Sequence, residues 1–291
     1  MSGGPVDGLV VVDKPAGCTS HDVVARLRRL LGTRRVGHAG TLDPMATGVL
    51  VAGVGRATRL LGHLQLADKA YDAMIRLGAS TSTDDAEGES TGGSDASGLD
   101  ESAVRAAVAD LTGDLLQVPS AVSAIKVDGR RAYERVRSGE QVELAARPVQ
   151  VTRFDVVALH RDGAFLDVGV HVTCSTGTYV RALARDLGAS LGVGGHLTAL
   201  RRTRVGPFTL ADAVVLGDQA PPVLSLDETA RRCFPTLHLD DGQAVDVGYG
   251  RALDVRLPAE GPVALLAPDD TFLALYERRD DVALAIAVFA E

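Results

Sequence analysis

The stretch Gly37-His38-Ala39-Gly40-Thr41-Leu42-Asp43-Pro44-Met45-Ala46-Thr47-Gly48 gathers residues that shape backbone around one carboxylate, Asp43. Gly37, Gly40 and Gly48 permit positive φ or close approach, and Pro44 fixes its own φ. A residue before proline is pushed to extended conformations, so Asp43 is expected to stand out from the chain and not to lie on a helix. Val49-Leu50-Val51-Ala52 follows as a buried strand. An acid on a shaped loop at the mouth of a strand is a candidate reactive group. An Asp-Pro turn with a helping histidine is the plainer reading, and this stretch alone does not choose between them.

Few other residues suggest chemistry. Aromatics make up only 4% of the chain and there is no Trp, so Tyr71, beside Lys69 at the start of an alternating segment, stands out; an ordinary strand-edge aromatic is its plain alternative. Cys18, Cys174 and Cys233 are far apart and odd in number, which suits a reducing cytoplasm and offers neither a disulfide framework nor zinc spacing. The seven histidines are equally scattered, so no metal is expected. Gly53-Val54-Gly55-Arg56-Ala57-Thr58-Arg59 begins like a phosphate loop. Thr58 stands where a third glycine would be, however, and no Walker lysine follows, so no nucleotide cofactor is expected.

The 291 residues suffice for a main domain with a smaller one attached, and a hydrophobic content of 46% supports an ordinary globular core. No cationic start precedes an apolar run, and no apolar run approaches the ~20 residues of a membrane helix, so neither export nor a membrane span is indicated. The net charge of −8 would argue against a polyanionic partner, but it is unevenly spread. Residues 1–83 hold 10 basic and 6 acidic side chains and residues 115–239 hold 15 and 12. Residues 84–114 hold 1 and 9, and residues 240–291 hold 4 and 11. The body around the motifs is mildly basic, which permits RNA because a local patch steers a polyanion.

Several elements must position these residues. Leu9–Val12 forms a strand ending at a Pro15-Ala16-Gly17 turn, and Thr19 or Ser20 caps a helix with Val23, Val24, Leu27, Leu30 and Leu31 on one face. Its arginines, with Arg34 and Arg35, lie mainly off that face and favour solvated surface over RNA contact. Residues 69–77 alternate as a half-buried strand, and residues 83–98 form a long, mobile polar loop. Asp100 caps a helix ended by Gly113; residues 117–126 are extended, and 129–137 form a short basic helix. Residues 149–159 and 165–173 form a hairpin that runs into Cys174-Ser175-Thr176-Gly177-Thr178-Tyr179-Val180-Arg181 and a helix ending at Gly188. Residues 196–206 are basic and extended. From about 231 short strands and turns suggest a small separate β-rich domain.

Taken together the motifs resemble the bacterial TruB family, the tRNA pseudouridine-55 synthases. The resemblance covers roughly residues 8–210. It is carried by Val12-Asp13-Lys14-Pro15-x-Gly17, by Gly37-His38-x-Gly40-x-Leu42-Asp43-Pro44-x-Ala46-x-Gly48, by Lys69-x-Tyr71 and Leu77-Gly78, and by Thr83-Asp84-Asp85-Ala86-Glu87-Gly88. Ser123-Ala124-x-Lys126-x-x-Gly129, Gly177-Thr178-Tyr179-Val180-Arg181 and Leu200-Arg201-Arg202-Thr203 complete it. Two departures are visible: Ser120 and Val122 stand where the family usually has its second proline and a tyrosine, and the stretch from about 231 is short and acidic.

The resemblance implies an α+β fold: a mixed, mainly antiparallel sheet flanked by helices, with a central RNA-binding cleft, over residues 1–230, and a PUA-like C-terminal domain over residues 231–291. It implies conversion of the T-loop uridine of tRNA to pseudouridine without cofactor or metal, in the cytoplasm, by a monomer acting without a guide RNA. Asp43 matches the nucleophile, and His38 the histidine that enters the T-loop as the base leaves. Tyr71 matches the aromatic that stacks on uracil, and Tyr179, Arg181 and Leu200 match further pocket residues, Arg181 as partner of the carboxylate. Asp85 joins the substrate-binding set. Lys14, Arg59 and Arg201–Arg202 are candidates for phosphate contacts, weighed against plain surface charge.

The reaction breaks N1–C1′ and joins C5 to C1′ without redox change. A carboxylate can attack C1′, add to C6, take the C2′ proton, or stabilise charge on the sugar, and sequence leaves these routes open. Three alternatives stand beside this reading: a related synthase, a binding protein of a different class whose catalysis is secondary, and another enzyme. A guide-dependent synthase would tend to carry long basic extensions, a tRNA-folding chaperone would need no intact Asp43, Tyr71 and Arg181 set, and a glycosidase would need a second acid close to Asp43.

Overall fold

In the computed structural model of the chain, residues 6–120, 126–127, 130–131 and 144–290 are described. They divide into two compact units. The first comprises residues 1–43, 48–66 and 205–291, and the second residues 44–47 and 67–204.

The first unit opens with β1 (Gly8–Lys14), whose unbroken apolar run is buried throughout. Thr19 then starts α1 (Ser20–Leu30) through a capping box: its side chain accepts from Asp22 N, and the Asp22 carboxylate accepts from Thr19 N. Val23, Val24 and Leu27 fall on the buried face, as their spacing predicts. β2 (Val36–His38) and β1 both pair antiparallel with β3 (Thr47–Val54), in the registers Gly37↔Gly53 and Val12↔Leu50. A 3-10 turn (Gly55–Leu60) and α2 (Leu61–Gln65) follow.

The second unit is built on β4 (Lys69–Leu77), which alternates buried and outward residues as expected and lies between a later strand pair and a basic strand. The stretch expected as one long mobile loop is partly ordered. β5 (Ser80–Thr81) pairs with β6 (Ser90–Gly92), and Asp85 turns inward and is buried. Asp100 sits at the start of α3 (Glu101–Asp110), but its side chain makes no capping bond there. Instead Arg105, one turn on, donates to the Val156 carbonyl of the sheet. β7 (Gly113–Gln117) leads toward β8 (Lys126–Val127) and β9 (Arg130–Arg131), which pair with each other. Arg130 and Arg131 were expected at the start of a basic helix and are strand instead. The rest of that helix, and residues 121–125 of the expected extended segment, lie outside the described residues, as does Val122 of the departures noted above.

β10 (Arg147–Asp162) and β11 (Phe165–Cys174) form the expected hairpin. The turn needs the positive φ of Gly163, +60°, a cheap conformation for glycine. The order β4–β11–β10–β7 is antiparallel throughout. α4 (Val180–Ser190) then leads into β12 (Gly195–Val205), the second neighbour of β4. Gly188 and Gly195 allow this close join: a Cβ on Gly188 would lie 2.1 Å from Gly195 N.

The chain returns to the first unit through β13 (Phe208–Thr209), a 3-10 turn (Leu210–Asp212) and α5 (Leu226–Cys233). β14 (Thr236–His238), α6 (Asp241–Gly248), β15 (Val263–Leu266), β16 (Phe272–Arg279) and β17 (Val282–Val288) complete it. The four strands form one sheet, parallel at β14–β15 and antiparallel elsewhere. Its two faces serve two cores. Val263, Leu265, Ala274 and Tyr276 pack locally with Leu239 and Val247. Ala264, Leu266, Leu275 and Ala287 pack with Leu9, Val11, Val49 and Val51 of the strands at the start of the chain. The fold is α+β, as expected.

Candidate active site

Asp43 lies in irregular chain between β2 and β3 and is half-buried. Backbone contacts fix this loop. Ala39 N donates to Val51 O at 2.9 Å, continuing the β2–β3 pairing past its last residue pair. Gly40 has φ +96° and Gly48 φ +100°, so the chain enters and leaves the acid through conformations that side-chained residues avoid. Between them the buried Ser20 hydroxyl accepts from Leu42 N (2.9 Å) and donates to Leu42 O (3.2 Å). One hydroxyl thus satisfies both backbone groups of the residue before Asp43. Residue type did not reveal this role, because Ser20 also fits the start of α1.

His38, at the end of β2, meets His21 edge-on with ring centroids 5.5 Å apart. Both histidines therefore line the start of the Asp43 loop, one from α1 and one from β2.

Two cations expected at phosphates are placed otherwise. Lys14 is fully buried, and its ammonium donates to Pro15 O (2.9 Å) and Cys18 O (2.7 Å), closing the turn after β1. A group with no surface has none to offer a phosphate, so Lys14 is structural; residue type gave its charge but not its burial. Arg59 donates to Val288 O at 2.6 Å and its guanidinium lies 4.7 Å from the Phe289 ring centre, joining the turn after β3 to the end of β17. Its exposed edge is still accessible.

In the second unit Tyr71 is buried on β4, opposite Val172 of β11. Lys69, two residues earlier on the same face, is buried as well and donates to Ala67 O at 2.8 Å. Burial, with the Arg202 guanidinium as a second cause, lowers its ammonium to about 8. Across the strand pair Cys174 faces it, and burial pushes that thiol up to about 11. Leu200 is buried on β12. Arg202 is 1% exposed, so of the Arg201–Arg202 pair only Arg201 has solvent-facing surface; its guanidinium donates to Thr47 Oγ1 at 3.3 Å.

Arg181 and Asp85 are brought together. Both side chains are 5% exposed, and Arg181 Nη1 lies 3.3 Å from Asp85 Oδ2 while donating to Thr83 O at 2.8 Å. Asp85 in turn accepts from Thr83 Oγ1 (2.5 Å) and from Glu87 N (3.1 Å). The carboxylate is thereby aimed by its own loop, and it holds a guanidinium that would otherwise be costly to bury. The next turn repeats the link more weakly, with Arg185 Nη1 3.4 Å from Asp84 Oδ2. Asp85 therefore acts on Arg181, a more specific role than the substrate contact expected of it.

Tyr179 precedes α4 without a side-chain cap. Its backbone is bonded instead to Gln117 at the end of β7: Tyr179 N donates to Oε1 (2.8 Å) and Nε2 donates to Tyr179 O (3.1 Å). Nothing local in the sequence announces this contact between residues 62 apart. Among the described residues no group of three or more potential metal ligands occurs, and no helix is long and apolar enough to cross a membrane.

Residues 28–180 match the TruB family pseudouridylate synthase N-terminal domain. The chain belongs to the TruB family. Residues 181–232 match the tRNA pseudouridylate synthase B C-terminal domain, and residues 234–290 match the C-terminal domain of tRNA pseudouridine synthase II. A protein of Corynebacterium glutamicum named tRNA pseudouridine synthase B is 58% identical over 278 residues, covering 94% of this chain and 93% of its own. One of the same name from Thermobifida fusca is 58% identical over 290 residues, covering 98% and 99%. Among solved structures, a chain of a Cbf5-Nop10-Gar1 complex superposes with a TM-score of 0.71 at 25% identity, covering 98% of this chain and 84% of that one. These matches extend the TruB likeness past residue 210, through the part of the chain whose own motifs were faint.

Proposed function

We propose that this chain isomerises a uridine of tRNA, the T-loop uridine at position 55, to pseudouridine, with Asp43 as the catalytic carboxylate. The observation that carries the reading is the pairing of TruB membership with a half-buried Asp43 on a loop whose approach is fixed by hydrogen bonds at Ala39 and Leu42. A preorganised carboxylate avoids the entropy of finding its reacting atom, which is where positioning lowers a barrier.

The uridine must leave its stack to be reached, at a cost of a few kcal/mol. Stacking on Tyr71 would offset about 1–3 kcal/mol of that, and His38, backed by His21, would fill the vacated space. Arg181, which the resemblance assigns to the catalytic carboxylate, would keep it ionised; Asp85 and Thr83 hold the guanidinium in one orientation. Tyr179 and Leu200 would complete the wall around the base, and Arg59 and Arg201 are the cations left with surface for the RNA backbone. Asp43 is read as acting on the sugar or on the base; attack at C1′, addition at C6 and glycal formation all use the same carboxylate.

In this reading residues 1–230 do the chemistry and residues 231–291 form a PUA-like RNA-binding part, a division supported by the latter's own sheet and local core. The enzyme would act on tRNA without a guide RNA, a choice supported by relatives that carry the tRNA-synthase name, and as a monomer in the cytoplasm.

The test is incubation of purified protein and its Asp43→Asn variant with unmodified tRNA transcript, followed by chemical mapping of pseudouridine and measurement of tRNA affinity. Wild type should form pseudouridine at one T-loop position. The variant should form none while binding tRNA within about threefold of wild type, because only an interaction made in the transition state has been removed. Turnover surviving in Asp43→Asn would remove Asp43 from the chemistry. Tight binding without product from wild type would favour an RNA-folding role.

A further inference from the structure

We propose that Gln117 is a positioning residue for this site: its carboxamide sets the backbone of Tyr179 and so the first turn of α4, from which Arg181 reaches Asp85. The inference rests on reading Tyr179 and Arg181 as site residues.

A helix start leaves its first N–H groups without intrahelical partners, and a Ser, Thr, Asp or Asn side chain usually meets part of that need. Tyr179 has no such side chain, and α4 begins without a local cap. Its carbonyl already accepts the first helical bond, from Leu183 N at 3.2 Å. Gln117 acts on the residue before the helix and not on its first-turn N–H groups: Oε1 accepts from Tyr179 N and Nε2 donates to the second lone pair of Tyr179 O. A carboxamide matches this N–H and C=O pair because it carries one acceptor and one donor side by side. Gln117 is itself 3% exposed, so water does not compete for either bond. The next residue extends the link, since Val118 O accepts from Arg185 Nη2 at 2.7 Å, one turn beyond Arg181. The end of β7 thus holds the helix at two successive turns, and the 83–85 loop takes up the arginines that those turns present.

Two variants separate positioning from simple stability. Gln117→Leu keeps the bulk and removes both bonds. It should lower the single-turnover rate at saturating tRNA by roughly 10- to 100-fold, the scale of a small misplacement of reacting groups, with tRNA affinity within about threefold. It should also speed exchange of the Tyr179 amide proton. Gln117→Glu near neutral pH can accept from Tyr179 N but sets a carboxylate oxygen against Tyr179 O. Once protonated, the introduced carboxyl can donate again. Its rate defect, measured against wild type at each pH, should therefore shrink as pH falls from 8 toward 5.5. Wild-type rates in both variants would overturn the proposal. So would a Gln117→Glu defect that ignores pH, or rate, affinity and melting temperature falling together. Were wild type to form no pseudouridine, the parent reading would fail, and amide exchange would still decide whether Gln117 holds Tyr179; unchanged exchange in Gln117→Leu would sink it.

Discussion

The loop that carries Asp43 and the helix turn that carries Arg181 both fix one charged side chain, by different physical means. Around Asp43 the restraints on the backbone are neutral and numerous: a hydroxyl on Leu42, a strand bond at Ala39, and two glycines with positive φ. Each hydrogen bond of that kind contributes about 0.5–1.5 kcal/mol net, so the loop should yield by degrees. Around Arg181 the restraint is a buried ion pair, in which loss of one partner leaves an uncompensated charge and costs about 3–5 kcal/mol. The lesson concerns tolerance. The loop that carries the reacting carboxylate is held through its backbone, whereas the assisting cation is held through its charged end.

Three measurements would break or sharpen this contrast. Asp85→Asn should have the largest effect, lowering unfolding free energy in urea by about 3 kcal/mol, since it removes one side of a buried ion pair while Arg181 stays buried; a loss below about 1 kcal/mol would mean that this pair is not what holds the turn. Ser20→Ala should cost less, about 1–2 kcal/mol, because it strands the backbone polar groups of Leu42 but no charge. Its single-turnover rate should fall more than its tRNA affinity, and a stability loss equal to that of Asp85→Asn would erase the distinction. The smallest effect should come from Lys69→Met. With the folded ammonium at about 8 against an ordinary 10.5, the unfolded chain holds the proton between those values and the folded chain does not. Unfolding there takes up a proton, so this group makes stability rise with pH across that window. Cys174, protonated when folded up to about 11 against an ordinary 9, opposes it from pH 9 upward. Between pH 8 and 9 the wild-type rise should therefore flatten in Lys69→Met; an unchanged slope would assign the titration elsewhere.

What could be read in the sequence follows from how far each signal reaches. β4, the β10–β11 hairpin and α1 were legible because alternation, helical spacing and a local capping box decide them within a few residues. Asp43 was legible because glycines and a proline crowd around it. The helices α5 and α6 were passed over, although Ser225-x-x-Glu228 and Asp240-x-x-Gln243 carry capping signals at their starts. Lys14 misled, since charge suggests surface while two carbonyls of its own turn make burial affordable. Ser20 and Gln117 were invisible for another reason: their partners are backbone groups 22 and 62 residues away, which any residue type could have supplied.

The two-faced sheet near the end of the chain has a practical consequence. A shortened version stopping near residue 230 would keep every residue assigned to the reaction, yet it would uncover Leu9, Val11, Val49 and Val51, and strip Arg56 and Arg59 of their acceptors at Phe289 and Val288. One of the strands thus laid bare, β3, begins just after the Asp43 loop. Anyone trimming this protein to a minimal catalyst should expect an insoluble product, and anyone hanging a tag or a fusion partner on it should leave β17 and the turn behind it untouched.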